Sequence, residues 1–434
     1  MSNERDLVEK FSAHASQRRY TRRQIVRAGA ALGLSAAAVN SLLAMPAFAQ
    51  DSAASPAAGG PVMVSIVGAE MTFDEIKAAI AEEGEVNVGN WTYSANDALI
   101  QRFEDYIKDV YDEEITLNYS GSQTPSTYIT DLTIAVGAGD NAPYDVLAIE
   151  ENYWAEAVAQ GEEAGSSLME EFLPSGLVPN ADRVLETLIH APTSVGFQAS
   201  ATPGVTYNTA NVDFLKDWKD LADERLKGKL LMWLPGDITG GGILLGVAAS
   251  LGLDYKDPAQ MDQAIAFLVD EVHPNALKYT NQQPELEELL KSGVVDAATF
   301  WNGVARKFYF DGTEGFAFMV AESGQYAVNG FMWIPAKPSH PVLAQLFIDW
   351  RLSDDAQFPD LEAWGISEGW WSELQEGLMG PSYEAAIPDW IADVYFDYYP
   401  TTEQLSTLYQ NVDWAYYNEH NQEWYDKWLQ GIGL

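Results

Sequence analysis

The chain has 434 residues, with 64 Asp and Glu against 24 Lys and Arg, for a formal net charge of -40. A chain this acidic is excluded from binding nucleic acid or an anionic lipid surface through a basic face. The absence of cysteine excludes disulfides, thiolate metal sites and a lipid-bearing cysteine.

The N-terminus carries a twin-arginine pattern, Thr21-Arg22-Arg23-Gln24-Ile25-Val26-Arg27. An apolar, small-residue stretch runs from Ala28 to Met45, and Ala47-Phe48-Ala49 offers a small-x-small cleavage site. Basic region, apolar region and cleavage site follow in the order an export signal requires. Asn40 and Ser41 interrupt the apolar run, which argues against a membrane anchor. Residues 1–49 are therefore expected to be a twin-arginine signal peptide. The mature protein is expected from Gln50, soluble, in the periplasm or outside the cell, and not a lipoprotein.

Asp51 to Pro61 is rich in Ala, Ser, Gly and Pro and reads as a tether. Residues 50–84 as a whole are expected to be this linker plus a short segment, with a helix from Phe73 to Glu82. A strand is predicted over 85–88, then a helix over 96–110 with Leu99, Phe103, Tyr106, Ile107 and Val110 on one face. A strand over 114–119, a helix over 126–136, a strand over 144–148 and a helix over 153–160 follow. This alternation predicts a parallel sheet flanked by helices.

A second α/β series starts near Val205. Strands are predicted over 204–208, 229–234, 295–300, 316–320 and 331–335. Helices are predicted from Thr239, around 261–272, over 284–291 and over 341–352. The C-terminal stretch is aromatic (Tyr395, Tyr398, Trp414, Tyr416, Trp424, Trp428) and reads as helices packed against the body. Two α/β series imply two lobes and a cleft. Ligands in such sheets sit beyond the carboxyl ends of strands, which puts Asn90, Trp91 and Glu150 near one.

Four segments carry a family likeness: Val86-Asn87-Val88-Gly89-Asn90-Trp91-Thr92, Tyr144-Asp145-Val146-Leu147, Phe300-Trp301-Asn302-Gly303, and Met332-Trp333-Ile334-Pro335-Ala336-Lys337. In this order and spacing they resemble the type II periplasmic solute-binding proteins of ABC importers, and within them the spermidine/putrescine-binding branch. The resemblance implies a two-lobed Venus-flytrap fold with hinge crossovers near 195–206 and 326–335. It implies a first lobe from 85–198 plus 330–400, a second lobe from 199–329, and C-terminal aromatic helices over 401–434. It also implies a monomer that holds a small cationic ligand in the cleft and delivers it to membrane permease subunits, without a cofactor, a metal or nucleic acid.

Position by position, the resemblance puts ligand contacts at Trp91, Thr92 and Trp301. Glu150, Glu151 and Tyr153 fall where the family has a polar loop, and Asp237 falls near an acidic position. Rings attract cations by about 0.5–2 kcal/mol, and carboxylates give charge-assisted hydrogen bonds to ammonium groups. The family's Trp-x-Asp before the second hinge is replaced here by Gln325-Tyr326-Ala327-Val328-Asn329-Gly330, so Tyr326 or Asn329 is the expected substitute. Packing alternatives stand beside these roles: lobe packing for Trp91 and Trp301, a solvated pair for Glu150 and Glu151, a helix N-cap for Asp237.

Other chemistries read less well. Gly365-Ile366-Ser367-Glu368-Gly369 spells a hydrolase pattern, but no apolar strand precedes it and His420 is the only later histidine. A secreted serine hydrolase using Ser367 is the alternative from a different class. Gly240-Gly241-Gly242 opens a helix after a strand. Free amides there would suit an anion, so a sugar or small organic anion is the alternative within the same fold. The five histidines show no metal-ligand pairing, and Tyr398-Tyr399 does not by itself make a ferric site.

Overall fold

A computed structural model describes residues 60–91, 97–122, 125–184, 186–201, 203–310, 312–326, 328–353, 356 and 409–434. The leader pattern, Thr92, Tyr395, Tyr398 and the Ser367 motif lie outside the described residues.

Two α/β lobes are built around separate cores. The first begins with a hairpin, β1 (Val62–Val64) and β2 (Ala69–Met71), and helix α1 (Phe73–Glu83). Thr72 and Glu75 form a reciprocal capping box at the start of α1, and Gly84 ends it in the left-handed region at φ 66°. Val64, Ile76 and Ile80 are fully buried in the first core. This segment, expected to be linker with no assigned role beyond one helix, is part of the lobe. Its period of four puts Ile76 and Ile80 on one face.

The first sheet has the order β4-β3-β5-β14-β7-β6. Its strands are β3 (Glu85–Trp91), β4 (Thr116–Ser122), β5 (Val146–Glu150), β6 (Ile189–His190), β7 (Ser194–Ala201) and β14 (Val328–Trp333). Helices α2 (Asp97–Tyr111), α3 (Ser126–Ala138) and α4 (Glu151–Ala164) connect or follow the first three strands. β3 runs parallel to β4 and β5, but β14 runs antiparallel to both β5 and β7. The expected parallel sheet is thus mixed. Its cause is the path of the chain, which leaves through β7 in the sense of β3, β4 and β5 and returns through β14, so β14 is inserted between β5 and β7 in reverse sense.

The second sheet has the order β10-β9-β11-β8-β12. It comprises β8 (Pro203–Asn208), β9 (Leu230–Trp233), β10 (Ala276–Thr280), β11 (Ala297–Trp301) and β12 (Phe316–Met319). Its helices are α5 (Ile238–Ser250), α6 (Pro258–Phe267), α7 (Gln283–Lys291) and α8 (Gly303–Phe310). β9, β10, β11 and β12 run in one sense, whereas β8, seated between β11 and β12, runs against them. The crossing from β7 to β8 takes a single residue, and the return follows β12 through the short strand β13 (Gln325–Tyr326).

Helix α9 (Pro341–Arg351) completes the first lobe and is buried from Val342 to Arg351. Its first amides are capped from the far end of the chain: the Glu83 carboxylate accepts from Val342 N at 3.0 Å and Leu343 N at 2.8 Å. Strand β15 (Tyr409–Gln410) pairs with β13, and α10 (Trp414–Ile432) buries Trp414, Tyr417, Trp424 and Trp428 in the second core. Full burial of an aromatic or aliphatic side chain contributes roughly 1.5–3 kcal/mol, so α10 is held firmly on this lobe.

Candidate functional site

The carboxyl ends of β3 and β5 in the first lobe, and of β9 and β11 in the second, carry the side chains of interest. Trp91 ends β3 and is 8% exposed. Its indole N–H donates to Glu150 Oε2 at 3.0 Å. Glu150 ends β5 and sits at the N-cap position of α4 without capping it with its side chain. Burial pushes its carboxyl up to about 8; hydrogen bonds from its own amide and from Trp91 pull it down, and the negative charge of Asp237 pushes it further up.

Asp237 belongs to the other lobe, between β9 and α5, and is exposed. Its Oδ1 accepts from Thr239 N at 2.9 Å and Gly240 N at 3.1 Å, and its Oδ2 accepts from the Trp233 indole at 3.0 Å. Asp237 therefore caps α5, as an Asp at this position does by geometry. This corrects the anion reading of the glycine run: the leading amides already hold the chain's own carboxylate. The glycines serve packing instead. A Cβ on Gly241 would meet the Tyr417 and Tyr425 hydroxyls of α10, and one on Gly242 would meet the Pro203 ring.

Tyr153, in the first turn of α4, is half-buried. Burial raises its hydroxyl pKa well above the ordinary range, and Glu150, Glu156 and Asp237 raise it further, as does Tyr425. The Tyr425 hydroxyl donates to the Asp237 carbonyl at 2.6 Å and contacts the Tyr417 hydroxyl. Two carboxylates from opposite lobes, three phenols and the indoles of Trp91 and Trp233 thus form one electronegative cluster. Trp301 stands at the same end of the second sheet, opposite Pro203 in the register with β8, half-buried against the second core.

The remaining predicted residues lie elsewhere. Glu151 is held inside the first lobe, with its Oε1 2.6 Å from His190 Nε2 and its Oε2 accepting from Asn329 Nδ2 at 3.3 Å. The His190 ring is stacked between Trp154 and Phe331. Glu151 and Asn329 therefore serve each other and His190. Tyr326 is buried in the second core, edge-on to Tyr255. Of the predicted set, Trp91, Glu150, Tyr153 and Asp237 come together, and Trp301 is on the matching sheet end. Trp233, Tyr417 and Tyr425 went unpredicted. Trp233 closes an apolar strand and reads as core. Tyr425 meets Asp237 across 188 positions, which no local pattern signals.

Among the described residues, no group of three or more His, Asp or Glu is placed to hold a metal, and no helix is long and apolar enough to cross a membrane.

A family model described as bacterial extracellular solute-binding protein matches residues 90–358. Comparison with curated proteins yields no match. Solved structures share the fold. A spermidine/putrescine ABC transporter substrate-binding protein from Streptococcus pneumoniae is 17% identical with a TM-score of 0.59, over 80% of this chain and 98% of that one. The Atu4243-GABA receptor is 17% identical with a TM-score of 0.59, over 80% and 97%. A periplasmic thiamin binding protein is 15% identical with a TM-score of 0.56, over 80% and 96%. The two-lobed α/β architecture is that of type II periplasmic binding proteins.

Proposed function

This chain belongs to the bacterial extracellular solute-binding proteins of ABC transporters, and from that membership we propose that it captures a small cationic solute between its lobes and delivers it to a membrane permease. The family is one of binding proteins, not enzymes, so the work is capture and release. The carrying observation is the placement of Glu150 and Asp237 on facing lobes, each held by an indole N–H, with the negative charge of Asp237 opposing ionisation of the buried Glu150 carboxyl. A cation between them offsets that charge, and only a group that interacts better with the closed form can shift the lobes toward it.

In this reading Glu150 and Asp237 hold ammonium groups, and Tyr153 supplies a hydroxyl. Trp91, Trp233 and Trp301 cover the alkyl part. Polyamines fit such a site, and a zwitterion such as γ-aminobutyrate fits one half of it. An organic anion fits poorly, because the helix amides that would hold it are taken by Asp237. Export through the twin-arginine leader, and action as a monomer, complete the proposal.

Thermal unfolding across putrescine, spermidine, γ-aminobutyrate and glucose tests it. A ligand at 100 times its Kd adds about 2.7 kcal/mol of stability, so putrescine or spermidine should raise Tm and glucose should not. No shift with any amine would overturn the cationic reading. Trp301→Ala should weaken amine binding at least tenfold, about 1.4 kcal/mol, while far-UV dichroism stays unchanged.

A further inference from the structure

Helix α10 lies beyond residues 90–358, the stretch that defines the family likeness. Its attachment to the second lobe is extensive. Besides its buried aromatics, Asp413 pairs with Lys256 at 2.6 Å and Lys427 pairs with Asp262 at 2.6 Å. The Tyr416 hydroxyl donates to the Lys256 carbonyl at 3.0 Å, and Asp413 N donates to the Tyr255 hydroxyl at 2.8 Å.

The same helix also touches the first lobe. It packs along α4, whose Ala155 is drawn against the second lobe's core. Asn418 Nδ2 donates to the Asn152 carbonyl at 3.0 Å. The seam lies beside the cluster described above, since α4 starts at Glu151 and Tyr425 bonds the Asp237 carbonyl.

We infer that α10 is a clasp between the lobes, anchored on the second and closing against α4 of the first. The inference rests on the reading that ligand is taken between the lobes. When the lobes part, α10 stays with the second, because its aromatic face is buried there. The α4–α10 seam is then what breaks. Its contacts exist only in the closed arrangement, so they raise the closed population before any ligand arrives. Apparent affinity scales with that population.

The test uses the full chain with two substitutions, neither in the ligand cluster. Ala155→Arg forces a long charged side chain into the seam, and Asn418→Ala removes its hydrogen bond. Small-angle scattering without ligand should show a larger radius of gyration for Ala155→Arg than for the parent. Putrescine Kd should rise about tenfold for Ala155→Arg and about threefold for Asn418→Ala, the latter in the range a single hydrogen bond carries. If Ala155→Arg does not melt cooperatively, Asn418→Ala is complemented by a separate double variant, Asn152→Cys with Asn418→Cys. These would be the sole thiols in the chain, and bridging them with a short bis-maleimide should slow ligand release. Both substitutions scattering and binding like the parent, or bridging without effect on release, would overturn the clasp. Expansion of Ala155→Arg in a chain that takes no amine would leave the clasp standing and remove the cationic reading instead.

Discussion

Glu150 retains its proton up to about pH 8 in the absence of ligand, chiefly through burial. A cation held against it favours the ionised form, so binding must release a proton below that pH. Affinity for a diamine is therefore expected to rise between pH 6 and pH 8 and to level off above, with at most a tenfold gain per pH unit. Calorimetry in two buffers of different ionisation enthalpy reads the released proton directly. Glu150→Gln should flatten the profile and lower affinity at pH 8. A profile that stays steep in Glu150→Gln would assign the proton to another group. Strand-end position singles out Asn90, Trp91 and Glu150 in the sequence, because chain direction in a parallel sheet decides which end faces the cleft, whereas Trp301 comes from the family resemblance. Nothing local separates Glu150 from Glu151. One ends β5 and faces Asp237, whereas the next begins α4 and turns to His190.

Helix α5 shows why glycine runs mislead when read from sequence. Its three leading glycines suggest a phosphate or carboxylate site, yet each one clears a neighbour: Pro235 at 240, the tyrosines of α10 at 241, and Pro203 at 242. Gly241→Ala is expected to destabilise by about 1–3 kcal/mol, the usual cost of overpacking, since its Cβ would lie 2.7 Å from the Tyr425 hydroxyl and closer still to Tyr417. Gly137→Ala in α3 meets nothing within 4 Å. It should be neutral or stabilising by up to about 1 kcal/mol. Urea unfolding of the two variants makes the comparison, and equal losses would contradict the packing account. Most other elements were legible. The runs Val146–Ile149 and Leu230–Met232 are buried throughout, and α2 and α9 carry helical periodicity. Strand β10 was not legible, because at the sheet edge it shows solvent Leu277 and Lys278 and so breaks the alternation of a half-buried strand. The mixed sense of the first sheet escaped too, since strand direction is decided by the crossing between lobes and not by any strand's own residues.

Among the described residues, four carboxyls are shifted upward mainly by burial: Glu83 to about 7, Asp349 to about 7, Glu150 to about 8, and Glu156. Each binds more protons folded than unfolded between the ordinary carboxylate range and its raised value. Stability should therefore fall as pH rises from about 4.5 to about 8. Self-repulsion in a chain of net charge -40 acts in the same direction. Tm measured at low salt from pH 5 to pH 8 should decline, and added salt should restore part of the loss at the upper end. A flat or rising curve would show that the buried carboxyls are not held protonated in the folded chain.

The interleaving of the two sheets also dictates an order of assembly. The second sheet is drawn from one continuous stretch, β8 through β12, so it can form as soon as that stretch has been made. The first cannot: β5 carries a bare flank until Val328–Trp333 is synthesised, and α1 waits for α9 before Glu83 finds its amides. A nascent or truncated chain ending near residue 320 would hold a complete second sheet, still without α10 over its core, and a first sheet with an open, apolar edge, the kind that recruits other chains. Shielding of that edge during synthesis should govern the yield of intact protein.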